Sequence, residues 1–289
     1  MNKLSALCLI LIFITAESAF AREPDYSQLD PKPYNPETDA NIDLYMRNWQ
    51  ESMPRKTHGS LVERDILTRG DSSNPATRGE VLKYVNRLVH ATLGAYESTA
   101  PTTLREEQEI FYVYSGKGTI KAGNETAELY HGVAALVPPE LEFTITNSTG
   151  ESLAMFLISE PVPDGFKPKE KIRVVCENST PFGKSNPHWV GLGKGLLGKG
   201  HGLATLSSVG TVRLDAMTFF HPHSHPEGIE EVWTAITDDI HVFFGKQIRL
   251  QKAGTAYLVP PNGKTPHANF NVSDKMIKMF YFSSRHRKQ

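Results

Sequence analysis

The chain has 289 residues, enough for one large domain or two small ones. Its 31 Lys and Arg nearly balance its 32 Asp and Glu, for a formal charge of −1, so it lacks the basic surplus that a nucleic-acid-binding surface needs. With 39% hydrophobic and 22% charged residues it is neither disordered nor membrane-spanning in bulk, and its 22 Gly and 19 Pro suit short strands joined by turns better than a helical bundle.

In chain order, residues 1–21 read as a secretory signal: Lys3 gives the positive start, residues 4–15 the apolar run, and Ala19-Phe20-Ala21 the small-x-small cleavage site. The run is too short to span a bilayer comfortably. The expectation is an exported protein, periplasmic or secreted, with no stable membrane insertion after cleavage. Cys8 leaves with the signal, so the mature chain keeps Cys176 alone and forms no intrachain disulfide.

Residues 22–58 form an arm rich in Pro, Asp and Tyr at its start. Ile42, Tyr45 and Trp49 at helical spacing predict a short amphipathic helix over 41–52. From residue 59 the pattern turns to short β-rich runs at 110–114, 134–137, 143–146 and 153–158. A Pro- and Lys-rich linker covers 161–190. A second series of runs follows at 211–220, 232–236, 241–244, 256–259 and 276–282. Short strands at close spacing with turn signals predict an all-β chain of barrels or sandwiches.

The two series repeat each other at an offset of 122 residues, the distance from Glu109 to Glu231. Glu109-Ile-Phe-Tyr-Val-Tyr-Ser-Gly116 lies opposite Glu231-Val-Trp-Thr-Ala-Ile-Thr-Asp238, Gly123 opposite Gly245, and Gly132 opposite Gly254. Val133-Ala-Ala-Leu-Val-Pro-Pro139 lies opposite Thr255-Ala-Tyr-Leu-Val-Pro-Pro261. No gap is needed from Glu109 to Pro139, and each copy then reaches an Asn, Asn147 or Asn271. The chain therefore reads as two copies of one β-domain, at 59–160 and 191–289.

The second copy carries the chemistry. His221-Pro-His223-Ser-His225 precedes Glu230-Glu231, and His267 follows Pro260-Pro261-Asn262-Gly263. Residues i and i+2 of a strand share a face, so His223 and His225 can project together into a barrel. A glutamate from the next strand and a histidine from a further one complete a set of three imidazoles and one carboxylate. That set suits one divalent transition metal (Mn, Fe, Ni or Zn), with two octahedral positions left for water or substrate.

These residues resemble the two motifs of the cupin superfamily, G-(x5)-H-x-H-(x3–4)-E-(x6)-G and G-(x5)-P-x-G-(x2)-H-(x3)-N, and the doubling resembles bicupins. The match holds at His223, His225, Gly254, Pro261, Gly263, His267 and Asn271. It departs at Asp238, which stands in place of a glycine, and at the three residues between Gly263 and His267. The resemblance implies two tandem jelly-roll β-barrels and a possible homodimer. Family spacing favours Glu230 as the ligand glutamate; the internal repeat favours Glu231, which we take as the ligand, with Glu230 as a general base. At an offset of 122, Pro101 and Thr103 stand in place of His223 and His225, Phe143 falls in the region of His267, and Glu109 alone remains, so one ion per chain is expected. His58, His90, His188, His201 and His286 fit no ligand spacing. The glycine-rich segment 191–202 lacks the order of a phosphate loop and is expected as a lid near the barrel mouth.

A dication with one glutamate keeps about one positive charge, which favours a small anionic, chelating substrate. Lys264 and Arg213 are candidates to hold its anionic end, and Trp233 and Tyr257 to wall the site. The resulting expectation is a metal-dependent isomerase or lyase of a sugar-derived or organic acid. An Fe(II) dioxygenase and a non-catalytic ligand-binding barrel are the alternatives.

Overall fold

The computed structural model describes residues 32–183 and 191–286; the segment 1–21 expected as a secretory signal and the first part of the arm lie outside the described residues. The architecture is the expected all-β one: two tandem jelly-roll barrels, each made of a large and a small, mainly antiparallel sheet. In the first barrel the large sheet runs Arg173–Cys176, Val133–Val137, Glu107–Ser115, Leu153–Pro161, Arg87–Leu93, Leu61–Arg69, Arg55–Thr57, and Glu80–Leu82 joins Leu61–Arg69 in parallel. The small sheet runs Phe143–Thr146, Lys117–Ala122, Glu125–Tyr130. In the second barrel the large sheet runs Met46–Asn48, Thr255–Val259, Ile229–Ala235, Ile277–Arg285, Leu206–Leu214, Leu192–Gly198, and the small sheet Thr218–Phe219, His267–Asn271, Ile240–Phe244, Gln247–Gln251.

The central strands are apolar on both faces because both faces are covered. Along Glu107–Ser115, Phe111 and Val113 point into the first barrel, whereas Ile110 and Tyr112 join the core shared with the second. There the Tyr112 ring stacks on Phe280 at 4.8 Å, and Phe156 lies 5.7 Å from the same ring. Each fully buried side chain of this size contributes roughly 1.5–3 kcal/mol. The barrels are also joined by reciprocal carboxylate–amide contacts. Glu160 of the first accepts from the amides of Thr205 and Leu206, and Glu230 of the second accepts from that of Lys83 at 2.8 Å.

Three expectations are revised. The helix at 41–52 is a single turn, Ile42–Tyr45, capped by Asn41. Its continuation, Met46–Asn48, pairs with Tyr257, Ala256 and Thr255 at the edge of the second barrel, since an open sheet edge offers backbone partners that an isolated short helix cannot match. The linker contributes a strand, Arg173–Cys176, to the first barrel. The glycine-rich segment is an edge strand, Leu192–Gly198, rather than a lid. Packing requires glycine at its two ends: a Cβ on Gly191 would stand 2.5 Å from the Phe220 ring, and Gly202 has φ +108°.

The arm crosses both barrels. Trp49 follows the edge strand and stacks on His90 of the first barrel at 4.3 Å. Its indole also lies over Gly254, which has φ +80° and where a Cβ would come within 2.4 Å of Nε1. Both the left-handed backbone and the close approach require glycine at this position. No helix among the described residues is long and apolar enough to cross a membrane.

Candidate metal centre

The strand Ile229–Ala235 alternates between the two cores. Glu231 and Trp233 point into the second barrel, where the Trp233 Nε1–H donates to Glu231 Oε2 at 3.1 Å. His267 opens the strand His267–Asn271 and pairs through its backbone with His223. Pairing across the small sheet thus brings His223 and His267 side by side, and the i+2 step brings in His225.

The result is a compact cluster. One ligand atom from each of His223, His225 and His267 falls within 4.8 Å of the others, and the ring centroids are 4.5–5.0 Å apart. Glu231 Oε2 lies 2.9 Å from His225 Nε2 and 3.6 Å from His267 Nε2. His223 Nδ1 lies 2.9 Å from the His221 carbonyl oxygen. A carbonyl only accepts, so Nδ1 carries the proton and Nε2 presents its lone pair to the cluster. His221 thereby acts through its backbone.

The electrostatics favour the ligand forms. Burial, reinforced by His267, pushes the His223 pKa down to about 4, and burial also lowers that of His267 despite Glu231. Burial alone would raise the Glu231 pKa, but the adjoining His225 and His267 hold it well below the ordinary carboxylate range. Neutral His223 and His267 rings beside an ionised Glu231 belong to the kind of donor set that a first-row dication takes. The His225 side chain, 13% exposed against 1% for His267, marks the open side.

The structure brings together His223, His225, Glu231 and His267. Tyr257 is fully buried, its hydroxyl donates to Asn269 Oδ1 at 2.9 Å, and its ring is 6.5 Å from that of His267. Trp233 is equally buried and stacks on Tyr281 at 5.1 Å. Glu230 is not brought to the cluster: it sits on the opposite face of its strand and takes the Lys83 amide between the barrels. Lys264 is exposed and lines a separate recess with Thr38, Asp39, Lys246 and Thr265. Arg213 lies on a strand flank with its charge paired to Asp215 at 2.9 Å.

In the first barrel the corresponding backbone bridge joins Thr102 to Phe143. Thr102 therefore stands where His223 stands, one residue on from the position that a constant offset of 122 selects. Sequence spacing missed His58, which reaches this same place from the turn before Leu61–Arg69. Its ring is 5.6 Å from Phe143 and its Nδ1 is 3.1 Å from Thr102 Oγ1. With Glu63 and Glu109 it forms a second His/carboxylate group. No local spacing signals this, because the three residues meet only through pairing across the sheet.

Two tandem jelly-roll barrels in this arrangement are the fold of bicupins, and solved structures share it with this chain. It is similar to a Pseudomonas aeruginosa protein assigned as glyoxylate-induced, with TM-score 0.68, 10% identity, and coverage of 90% of this chain and 96% of that one. It is similar to a Bacillus subtilis oxalate decarboxylase variant, with TM-score 0.63, 14% identity, and coverage of 90% and 86%. A cupin 2 conserved barrel domain protein from Leptotrichia buccalis gives TM-score 0.54 at 13% identity, over 86% and 100% of the two chains. The sequence itself matches no family model and no curated protein.

Proposed function

We propose that the second barrel holds one divalent transition metal through His223, His225, Glu231 and His267, and that the chain is a metal-dependent enzyme acting on a small organic acid. The observation that carries this reading is the convergence of three imidazoles and one ionised carboxylate inside one barrel. A bound dication supplies Lewis-acid polarisation of a substrate oxygen. The chain's own residues do the rest. The His221 carbonyl orients the His223 ring, Trp233 fixes the Glu231 carboxylate, and buried Tyr257 and Phe220 help to keep the inner wall dry. The two similar proteins named for glyoxylate and oxalate support a short acid as the substrate class.

Lyase chemistry is favoured over isomerisation by one observation. Isomerisation needs a positioned group to move a proton, and Glu230, the residue expected to do so, faces the interface between the barrels. The test is metal analysis followed by incubation with two- to four-carbon oxo- and dicarboxylic acids under argon. We expect one of these acids to be consumed by the wild type, and His267→Ala to lose both activity and the metal of this barrel while staying folded. Consumption only with O2 uptake would move the assignment to a dioxygenase. Full metal content in His267→Ala would overturn the ligand set. Binding without turnover would leave a non-catalytic barrel.

A further inference from the structure

We propose that the first barrel also holds a divalent cation, between His58 Nε2, Glu63 Oε1 and Glu109 Oε2. This ligand set does not come from the histidine positions of the repeat, which are Thr102 and Phe143 in this barrel. It comes from the turn at His58, which inserts an imidazole from outside the repeat into the space those residues leave.

The inference begins with the His58 proton. Thr102 Oγ1 donates to the Ala100 carbonyl at 3.1 Å. A hydroxyl has one proton to give, so toward His58 Nδ1 the same oxygen accepts. Nδ1 therefore carries the hydrogen and Nε2 of a neutral ring presents a lone pair. That lone pair faces two carboxylate oxygens, Glu109 Oε2 at 3.4 Å and Glu63 Oε1 at 3.9 Å. Both carboxylate side chains are fully buried, and apart from each other His58 Nε2 and Glu109 Oε2 have no hydrogen-bond partner; burial opposes a charge on His58, but Glu109 and Glu63 outweigh it and raise its pKa, so the site draws in positive charge. Three electron-rich atoms converging in a dry site require a positive charge among them.

The surroundings fit a metal ion. Donor atoms of an ion with bonds near 2.1 Å stand about 3–4 Å apart, as His58 Nε2 does from both carboxylate oxygens. The outer oxygens of both carboxylates are already held: Arg87 Nη2 lies 3.1 Å from Glu109 Oε1, and Arg55 Nη2 lies 2.8 Å from Glu63 Oε2. Thr57 Oγ1 also donates to Glu63 Oε1 at 2.8 Å. Outer partners that aim the inner oxygens inward are the usual support of carboxylate ligands. Arg55 is shared with Asp65 at 2.6 Å and Arg87 with Glu107 at 3.8 Å. Four carboxylates thus face two guanidinium groups, and the two excess negative charges match a dication. Two carboxylates with one imidazole favour Mn2+ or Zn2+ over softer ions. The His58 backbone has φ 46°, a left-handed conformation that non-glycine residues rarely adopt.

The rival occupant is a proton, making His58 an imidazolium. Mn2+ as the probe separates the two on the full chain after stripping with a chelator. Bound Mn is counted by equilibrium dialysis and elemental analysis. We expect two Mn per chain in the wild type, one in His267→Ala, one in His58→Asn, and none in the double variant. Asn is chosen because it tolerates the left-handed turn; Glu109→Gln serves as the second variant and should also leave one Mn. Mn should raise the melting temperature of His267→Ala but not of the double variant. Binding of no Mn by His267→Ala, with its His58 ring titrating as an imidazolium by NMR, would overturn the proposal. An ion in the wild type that His58→Asn removes and His267→Ala does not would uphold it and defeat the ligand set of the second barrel.

Discussion

The two barrels share their scaffold more faithfully than their chemistry. Asn147 donates to the carbonyls of Leu93, Gly94 and Glu151, and its Oδ1 accepts from Thr149. Asn271 does the same in the second barrel with Leu214, Asp215, Lys275 and Ser273. Glu109 and Glu231 also keep one register, opposite Val137 and Val259. The imidazoles, in contrast, come from the paired positions 223 and 267 and the loop residue 225 in one barrel, and from a single hairpin turn in the other. Duplicated backbones hold their hydrogen-bond keystones in place, while the side chains at the mouth are replaced.

The largest effect that can break this comparison is expected at the keystones. Asn147→Ala and Asn271→Ala each strand several buried carbonyls and should each cost about 4 kcal/mol in denaturant unfolding. A silent variant in either barrel would end the equivalence. Next come the neighbouring glutamates. Glu231→Gln should weaken Mn2+ binding in the second barrel by a hundredfold or more, a loss of about 3 kcal/mol, whereas Glu230→Gln should leave metal content unchanged by the same dialysis measurement. Equal effects would erase the alternation on which the site rests.

A smaller effect concerns pH. Burial, with a contribution from Arg64, pushes the His90 pKa down to about 4. Between that value and the unfolded value near 6.5 the unfolded chain binds the extra proton. Stability contributed by neutral His90 is therefore present above about pH 6.5 and lost as pH falls toward 4, at most about 3 kcal/mol in all. His90→Phe, which keeps a ring against Trp49, should flatten that part of the pH–stability profile of the metal-free protein. An unchanged slope would assign the loss to other groups. The smallest effect is expected at Lys264. Because it lines a separate recess, Lys264→Ala should leave the KM for whichever short acid the wild type consumes unchanged, and a tenfold rise would return it to the site.

Much of this was legible from residues alone. The constant offset from Glu109 to Pro139 exposed the duplication, and the i, i+2 spacing of His223 and His225 exposed one face of a cluster. Both signals are local, carried by strand periodicity. What stayed hidden depends on contacts distant in sequence. Residues 46–48 read as helix because their partner edge at Thr255–Val259 is far along the chain. Glu230 read as a base because nothing near it announces the Lys83 amide. His58 read as inert because its partners are assembled by cross-strand pairing. The glycines at 191–202 read as a loop because the pairing of Leu192–Gly198 with Leu206–Leu214 cannot be seen from composition.

The strand Met46–Asn48 closes the margin of a barrel whose remaining strands are synthesised well over a hundred residues later. Until it docks, Thr255–Val259 carries a bare row of amides and carbonyls open to any passing chain. A truncated product beginning after the arm would present that row permanently, and its characteristic failure would be stacking into insoluble, strand-templated aggregates rather than a partial loss of metal.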